Sequence, residues 1–474
     1  MSSTHVPHPV EETRTERRAR GKALRQQTLR TSHSGWQPAA NRPDPLALLR
    51  QQDEGRLQHL LPIKYGRMLA SPFAFFRGSA VVMAADLAHT PVSGLDVMLC
   101  GDAHLSNFGL FASPERNLMF DINDFDECYP GPWEWDLKRL AASVAIAGRG
   151  NGFSNSTNRD MAEDVAHVYR KAMRRLSKAR TLDVWYFHVD AAALQAIYDK
   201  YASKKAIKAT DKAIKKAMSR TQERTIGKLT VVEDGRRRIK SNPPLLVPLR
   251  ADNLAQFVDA DDLAQISEAA VTDSWNQYLQ SLETEKRFLL SRYRIVDAAL
   301  RVGGVGSVGT RCIIILLQGG AHDDSLILQL KEAGPSALAA YLPLRHYEQQ
   351  AQRVVIGQQL MQATTDIFLG WHRSEVSGND FYWRQLKDMK GSADVEKMDK
   401  AGLKMYVDVC ALCLARTHAR TGDAAAISGY LGKSGRFDKA IGAFALAYAD
   451  QAERDYEGLV AAVKNGQLAA ETGI

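Results

Sequence analysis

Residues 100–136 read CGDAHLSNFGLFASPERNLMFDINDFDECYPGPWEWD, and four oxygen-bearing side chains stand out in them. Asp102 and Asn107 lie five residues apart on the loop expected after the apolar run Val97, Met98, Leu99. Asp124 follows a short strand pattern, Leu118 to Ile122, and precedes Phe125. Asp136 comes twelve residues after Asp124 and opens the helical pattern LKRLAASVAIA. Two oxygen ligands on one loop and a third at the end of a nearby strand suit a hard cation such as Mg²⁺. Asp and Asn are also ordinary turn residues, so a purely structural loop is the competing reading.

Kinase-type phosphoryl transfer needs one Asp to orient a hydroxyl, and an Asn and an Asp to hold magnesium. Taken together, GDAHLSN, NDFDE and WEWDL resemble the catalytic half of the aminoglycoside/choline phosphotransferase branch of the protein-kinase-like fold. That branch carries H-G-D-x-x-x-x-N, then I-D-[FW]-[DEG], then x-x-D-L-A. More narrowly, most of the chain resembles a bacterial family of uncharacterised kinase-like proteins, the domain of unknown function 2252. The resemblance implies ATP and Mg²⁺ as cofactors. It makes Asp102 the catalytic base, Asn107 and Asp124 the metal ligands, and Asp136 the helix-start Asp that braces the loop. One departure is Cys100, which stands where the branch has His, so bracing by that His does not carry over. GDxH also occurs in metallophosphoesterases, but their upstream D-x-H and downstream G-N-H-[DE] are absent.

A second informative stretch, residues 302–331, reads VGGVGSVGTRCIIILLQGGAHDDSLILQLK. Gly304, Gly306 and Gly309 form G-x-G-x-x-G, a pattern that lets backbone N–H groups approach phosphates closely. Alone it is weak, and a tight hairpin is a fair alternative. A Rossmann unit would need strand, glycines, then helix. Here Ile313 to Leu317 is β-like, and Lys331 ends a second strand, which is the order of a kinase nucleotide lid. Lys331 would then pair with phosphates and with an acid on the next helical pattern, 344–363. Glu348 is the candidate for that acid and Glu332 the weaker one; a plain surface-strand lysine is the alternative. FYWRQL, residues 381–386, reads as the strand leading to an adenine-facing hinge.

The catalytic pattern near residue 102 thus precedes the glycine pattern near 304, the reverse of a kinase chain. Circular permutation is the economical expectation, and it needs only that the old termini lie close together. The expected fold is α+β and mainly helical: a protein-kinase-like, two-lobed fold, circularly permuted. The expected parts are a flexible basic arm (1–45), a helical catalytic lobe (46–284), a β-rich nucleotide lobe (285–395) and helices returning to the catalytic lobe (396–474). Within them, Ser71-Pro72 starts a helix running to Leu87 that leads toward the Asp102 loop. Asp234-Gly235 signals a hairpin, NPPLLVPL is extended, and 260–284 and 288–300 read as helical. A helix over 402–420 carries His418, read as structural. Arg67 and Arg77 either face a phosphate cleft or pair with acids.

Composition bounds the rest. At 474 residues, with 45% hydrophobic and 24% charged residues, the chain is an ordinary globular protein of two or more domains. No apolar run reaches membrane-spanning length, and the N-terminus lacks the apolar core of a secretory signal. Five cysteines, an odd number, argue against a disulfide framework and for a cytoplasmic protein. Cys410 and Cys413 lack a second pair to complete a zinc site and read as buried small residues. Residues 199–240 hold fourteen Lys/Arg against five Asp/Glu. That run fits a solvated helix best, with nucleic acid as a lesser partner. The leading function is an ATP/Mg²⁺-dependent phosphotransferase acting on an unidentified hydroxyl-bearing small molecule or protein. The alternatives are AMP transfer on the same fold and a non-catalytic nucleotide-binding pseudokinase.

Overall fold

The computed structural model describes residues 11–201, 211–212, 214–250, 254, 267–321, 323–343, 347–386 and 389–474. The chain is α+β, and every strand pairing is antiparallel. The largest sheet has six strands. Across it lie Gly370–Arg373, Asp380–Gln385, Ser325–Glu332, Cys312–Gln318, Arg294–Arg301 and Leu246–Pro248. Both faces of this sheet are covered, which is why CIIILLQ reads as an unbroken apolar run. Ile313, Ile315 and Leu317 pack on one face with Tyr278 and Trp383, whose rings stack at 4.5 Å. Ile314 and Leu316 pack on the other with Ile226 and Ile239. The two-residue side-chain period of a strand divides them.

The second core is helical. Helix Glu134–Gly150 is buried from Glu134 through Gly148, walled by helices Asn155–Leu176, Lys400–Thr421 and Arg436–Lys464. A helix buried all round needs partners for its polar groups. Glu134 accepts from the Ser93 N–H and Lys138 donates to the Pro91 carbonyl. Asp136, Arg139 and Ser143 find theirs at the functional site. Small antiparallel pairs, Asp96–Leu99 with Tyr129–Pro132 and Phe108–Ala112 with Leu118–Ile122, frame the loops at 100–107 and 123–128.

Several expectations need correction. The stretch 11–45 is not a free arm. Helix Arg14–Ala23 lies against helix Ala424–Leu431 so closely that a Cβ on Gly21 would meet the Ala426 carbonyl oxygen at 1.9 Å. Arg17 and Arg20 pair with Asp423, and Arg30 donates to the Leu431 carbonyl. Residues 1–10 lie outside the described residues. The helix over 71–87 is two short helices, Pro72–Gly78 and Ala80–Leu87, broken at Ser79. The helix that abuts the Asp102 strand is instead Lys400–Thr421: the Met98 N–H donates to Thr421 Oγ1 at 3.2 Å. Residues 294–301, read as helical, form a strand, because pairing with Cys312–Gln318 overrides a helix-like spacing. The large sheet also recruits Leu246–Pro248, so it does not begin at residue 285.

Other expectations match. Asp234 (φ 47°) and Gly235 (φ 70°) turn the hairpin Thr230–Glu233 to Arg236–Ile239. All five cysteines are free and buried. Within the basic run, residues 202–210 and 213 lie outside the described residues. Among the described residues, no helix is long and apolar enough to cross a membrane.

Candidate functional site

One helix face holds the loop after Leu99. Gly101 has φ +80°, and a Cβ there would sit 2.1 Å from the Glu127 carbonyl oxygen, so only glycine fits. Asp136 accepts from the Cys100 N–H at 2.8 Å and from the Gly101 N–H at 3.0 Å. One turn on, the Arg139 guanidinium lies 2.5 Å from Asp102 Oδ1 and donates to the Phe76 carbonyl at 2.9 Å. One turn further, Ser143 Oγ accepts from the Leu105 N–H at 3.1 Å. Positions 136, 139 and 143 share a helix face. Each takes one part of the loop: its entry, its carboxylate and its exit. A histidine does join this network, but from another helix. His418 Nε2 is 3.2 Å from Asp136 Oδ2, and its Nδ1 is 2.9 Å from the Tyr169 hydroxyl. His418 is buried structure, as its position in the sequence suggests.

His104 Nε2 lies 3.5 Å from Asp102 Oδ2. Burial pushes the imidazole pKa down to about 4, so the ring is neutral near pH 7 and the contact is not an ion pair. Asn107 donates both amide hydrogens to backbone, to the Asp102 carbonyl at 3.0 Å and the Asp124 carbonyl at 3.1 Å. That pins the two loops together and leaves the amide oxygen as its acceptor. The Asp124 side chain is 49% exposed. Burial pushes its pKa up, but Lys331, Arg384 and Lys390 outweigh that and hold it below the usual carboxylate range.

Lys331 comes from the middle of the large sheet and is only 3% exposed. Its Nζ is 3.9 Å from Asp124 Oδ1 and forms a close ion pair with Asp126, 205 residues away in the chain. Desolvation lowers its pKa, but the two carboxylates more than reverse this, so the ammonium stays charged. Asp126 also accepts from the Tyr382 hydroxyl at 2.7 Å.

These groups line one cavity of about 700 Å³, within the usual range for a small-molecule site. Asp102, His104, Asn107, Asp124 and Asp126 line it together with Gly303, Gly304, Gly306 and Lys331. Ile367, Phe368 and Leu386 supply apolar lining. The glycine loop between Arg301 and Cys312 is propped from outside. Arg56 donates to the Gly306 carbonyl at 2.9 Å and the Val308 carbonyl at 2.6 Å, and Arg67 to the Gly303 carbonyl at 2.5 Å.

Most of the residues singled out in the sequence therefore meet here, but two do not. Gly309 (φ +87°) backs onto Arg56 and Leu61, and its carbonyl accepts from the Leu57 N–H, outside the cavity lining. Its glycine serves a turn. Glu348 sits on an exposed bend before helix Gln350–Met361, its carbonyl accepting from Arg373. The acids beside Lys331 are Asp124 and Asp126, while Glu332 pairs with Arg311. The helix brings Gln358, and the residue that ends it, Gln362, to the cavity instead of an acid. Sequence reading missed Asp126 and Arg139. The signals were present: a second carboxylate two residues after Asp124, and the polar face D-x-x-R-x-x-x-S starting at Asp136.

Among the described residues, no group of three or more His, Cys, Asp or Glu side chains could hold a metal by itself. Asn107 and Asp124 supply two hard oxygen donors, which suits Mg²⁺ completed by ligand oxygens and water. The comparisons with known proteins name neither a ligand nor a reaction: no curated protein and no solved structure matches the chain. One family model does match, over residues 56–462, more than half of the sequence. Its description is "uncharacterized protein conserved in bacteria (DUF2252)", and the chain belongs to that family.

Proposed function

We propose that this protein is an ATP- and Mg²⁺-dependent phosphotransferase, built as a circularly permuted protein-kinase-like fold and acting on a hydroxyl group of a small molecule or protein. The observation that carries this reading is Lys331 at 3.9 Å from Asp124 in one cavity with Asp102 and Asn107. The order within the large sheet agrees with it. Strand Arg294–Arg301, a glycine loop, strand Cys312–Gln318, a strand bearing Lys331 and then helix Gln350–Met361 follow the sequence of parts in a kinase nucleotide lid. The Thr421–Met98 hydrogen bond supports the permutation. Joining the chain there would run from glycine loop through Lys331 to Asp102, Asp124 and Asp136, the usual kinase order.

In this mechanism ATP enters with its base toward Phe368 and Leu386 and its phosphates under the glycine loop. Lys331 exchanges Asp126 for phosphate oxygens. A bound Mg²⁺ would neutralise charge on the phosphates, with Asn107 and Asp124 as its protein ligands. The acceptor oxygen bonds to the γ-phosphorus as the bond from that phosphorus to its bridging oxygen breaks. ADP leaves with the electron pair, and the hydroxyl proton passes to Asp102. Arg139 holds that carboxylate in place.

Asp124→Asn tests the reading. The variant keeps the side chain's size but removes an anionic ligand, so Mg·ATP affinity should fall at least on the order of tenfold. Binding measured by calorimetry in excess chelator should not change. A variant with wild-type magnesium dependence would remove Asp124 from the metal site and with it the main support for this function.

A further inference from the structure

Three of the arginines near the glycine loop and Asp102 are committed. Arg56 and Arg67 hold carbonyls of the loop, and Arg139 holds Asp102 and the Phe76 carbonyl. Arg77 differs. It ends helix Pro72–Gly78, lines the cavity, and its Nε is buried without a hydrogen-bond partner. Among the described residues its guanidinium forms no ion pair within 4.0 Å. Arg77 is half-buried, and a guanidinium keeps its charge, so a partly desolvated charge with no hydrogen-bonded partner is costly. Burial pushes the Arg77 pKa down, against attraction from Asp102 and Glu396. Such a site is completed by an anion that arrives with a ligand.

Position identifies the anion. The Arg77 backbone lies under the loop tip, where a Cβ on Gly306 would meet the Arg77 carbonyl oxygen at 3.6 Å. Its side chain shares the cavity with Asp102 and His104. Arg77 therefore stands between the loop that covers the phosphates and the carboxylate that receives the acceptor's proton. Resting on the phosphotransfer reading, we propose that Arg77 is a catalytic residue that binds the γ-phosphoryl group of ATP and stabilises the charge on its oxygens as it is transferred. An arginine in this position acts from within the same chain, and a planar fork matches phosphoryl oxygens well.

The test compares Mg·ATP with Mg·ADP, which lacks the γ-phosphate, by calorimetry on the full chain. Wild type should prefer ATP. In Arg77→Gln the ATP affinity should drop about 10- to 100-fold, the range for losing a charged hydrogen bond, while ADP affinity stays within about threefold. Unchanged ADP binding also reports an intact fold. Arg77→Lys, which keeps the charge but not the fork, should fall between the two. If Arg77→Gln and Arg77→Lys both keep the wild-type ATP-to-ADP ratio, including equal loss of both nucleotides, the assignment is overturned. A wild type that binds neither nucleotide would instead sink the phosphotransfer reading itself, and the Arg77 role with it.

Discussion

Asp102→Asn is expected to slow ATP turnover by about 10²–10⁴-fold, the usual loss when a general base is removed. Mg·ATP affinity should stay close to wild type. The two effects separate because Asp102 is not among the residues that would meet the nucleotide. Asn107 ties its own amide to the backbone of Asp102, not to the carboxylate. Asn keeps the size of Asp and retains an oxygen to accept from Arg139, which also has the Phe76 carbonyl and lies 4.3 Å over the Phe76 ring. The fold should therefore survive, as circular dichroism and a calorimetric titration would check. Wild-type turnover in the variant would reduce Asp102 to a counter-ion for Arg139. Joint loss of binding and fold would do the same.

What could be read in the sequence was local. The order GD, N, DFD, WEWD fixes which side chains follow which turns. The runs Leu118 to Ile122 and Ile313 to Leu317 have no competing helical period, and Asp234-Gly235 makes its turn by backbone preference. What could not be read depended on distant partners. Lys331 has carboxylates at Asp124, Asp126, Glu332 and Glu348 to choose from. The sheet sends its side chain to the first two, and sequence distance says nothing about that choice. Residues 294–301 carry apolar residues at helix-like spacing, but Asp297 accepts from the Ile239 N–H beside a bulge in the pairing with Cys312–Gln318. The arginines near the N-terminus looked like a solvated arm because their acceptors, Asp423 and the carbonyls ending helix Ala424–Leu431, lie some 400 residues on. In the same way, helix Glu134–Gly150 shows its polar face in the sequence, yet only the packed structure turns that face toward the Asp102 loop.

Asp136→Ala should be the most damaging substitution for the fold. The carboxylate is 1% exposed and accepts from two backbone N–H groups and approaches His418. Alanine brings no acceptor and too little volume for water to reach all three in place of the carboxylate. Two charged hydrogen bonds are lost and two buried N–H donors stay unpaired, at about 1.5–3 kcal/mol each, or roughly 3–6 kcal/mol together. That is a large part of the total stability of a typical domain, about 5–15 kcal/mol. Asp136→Asn keeps one acceptor oxygen and should lose about half as much. Urea denaturation of the three proteins would measure the series. The order wild type, Asn, Ala should therefore appear both in the denaturation midpoint and in ATP turnover. If the alanine variant unfolds at the wild-type midpoint, the Asp136 carboxylate does not brace the loop, and the positioning of Asp102 must come from Arg139 alone.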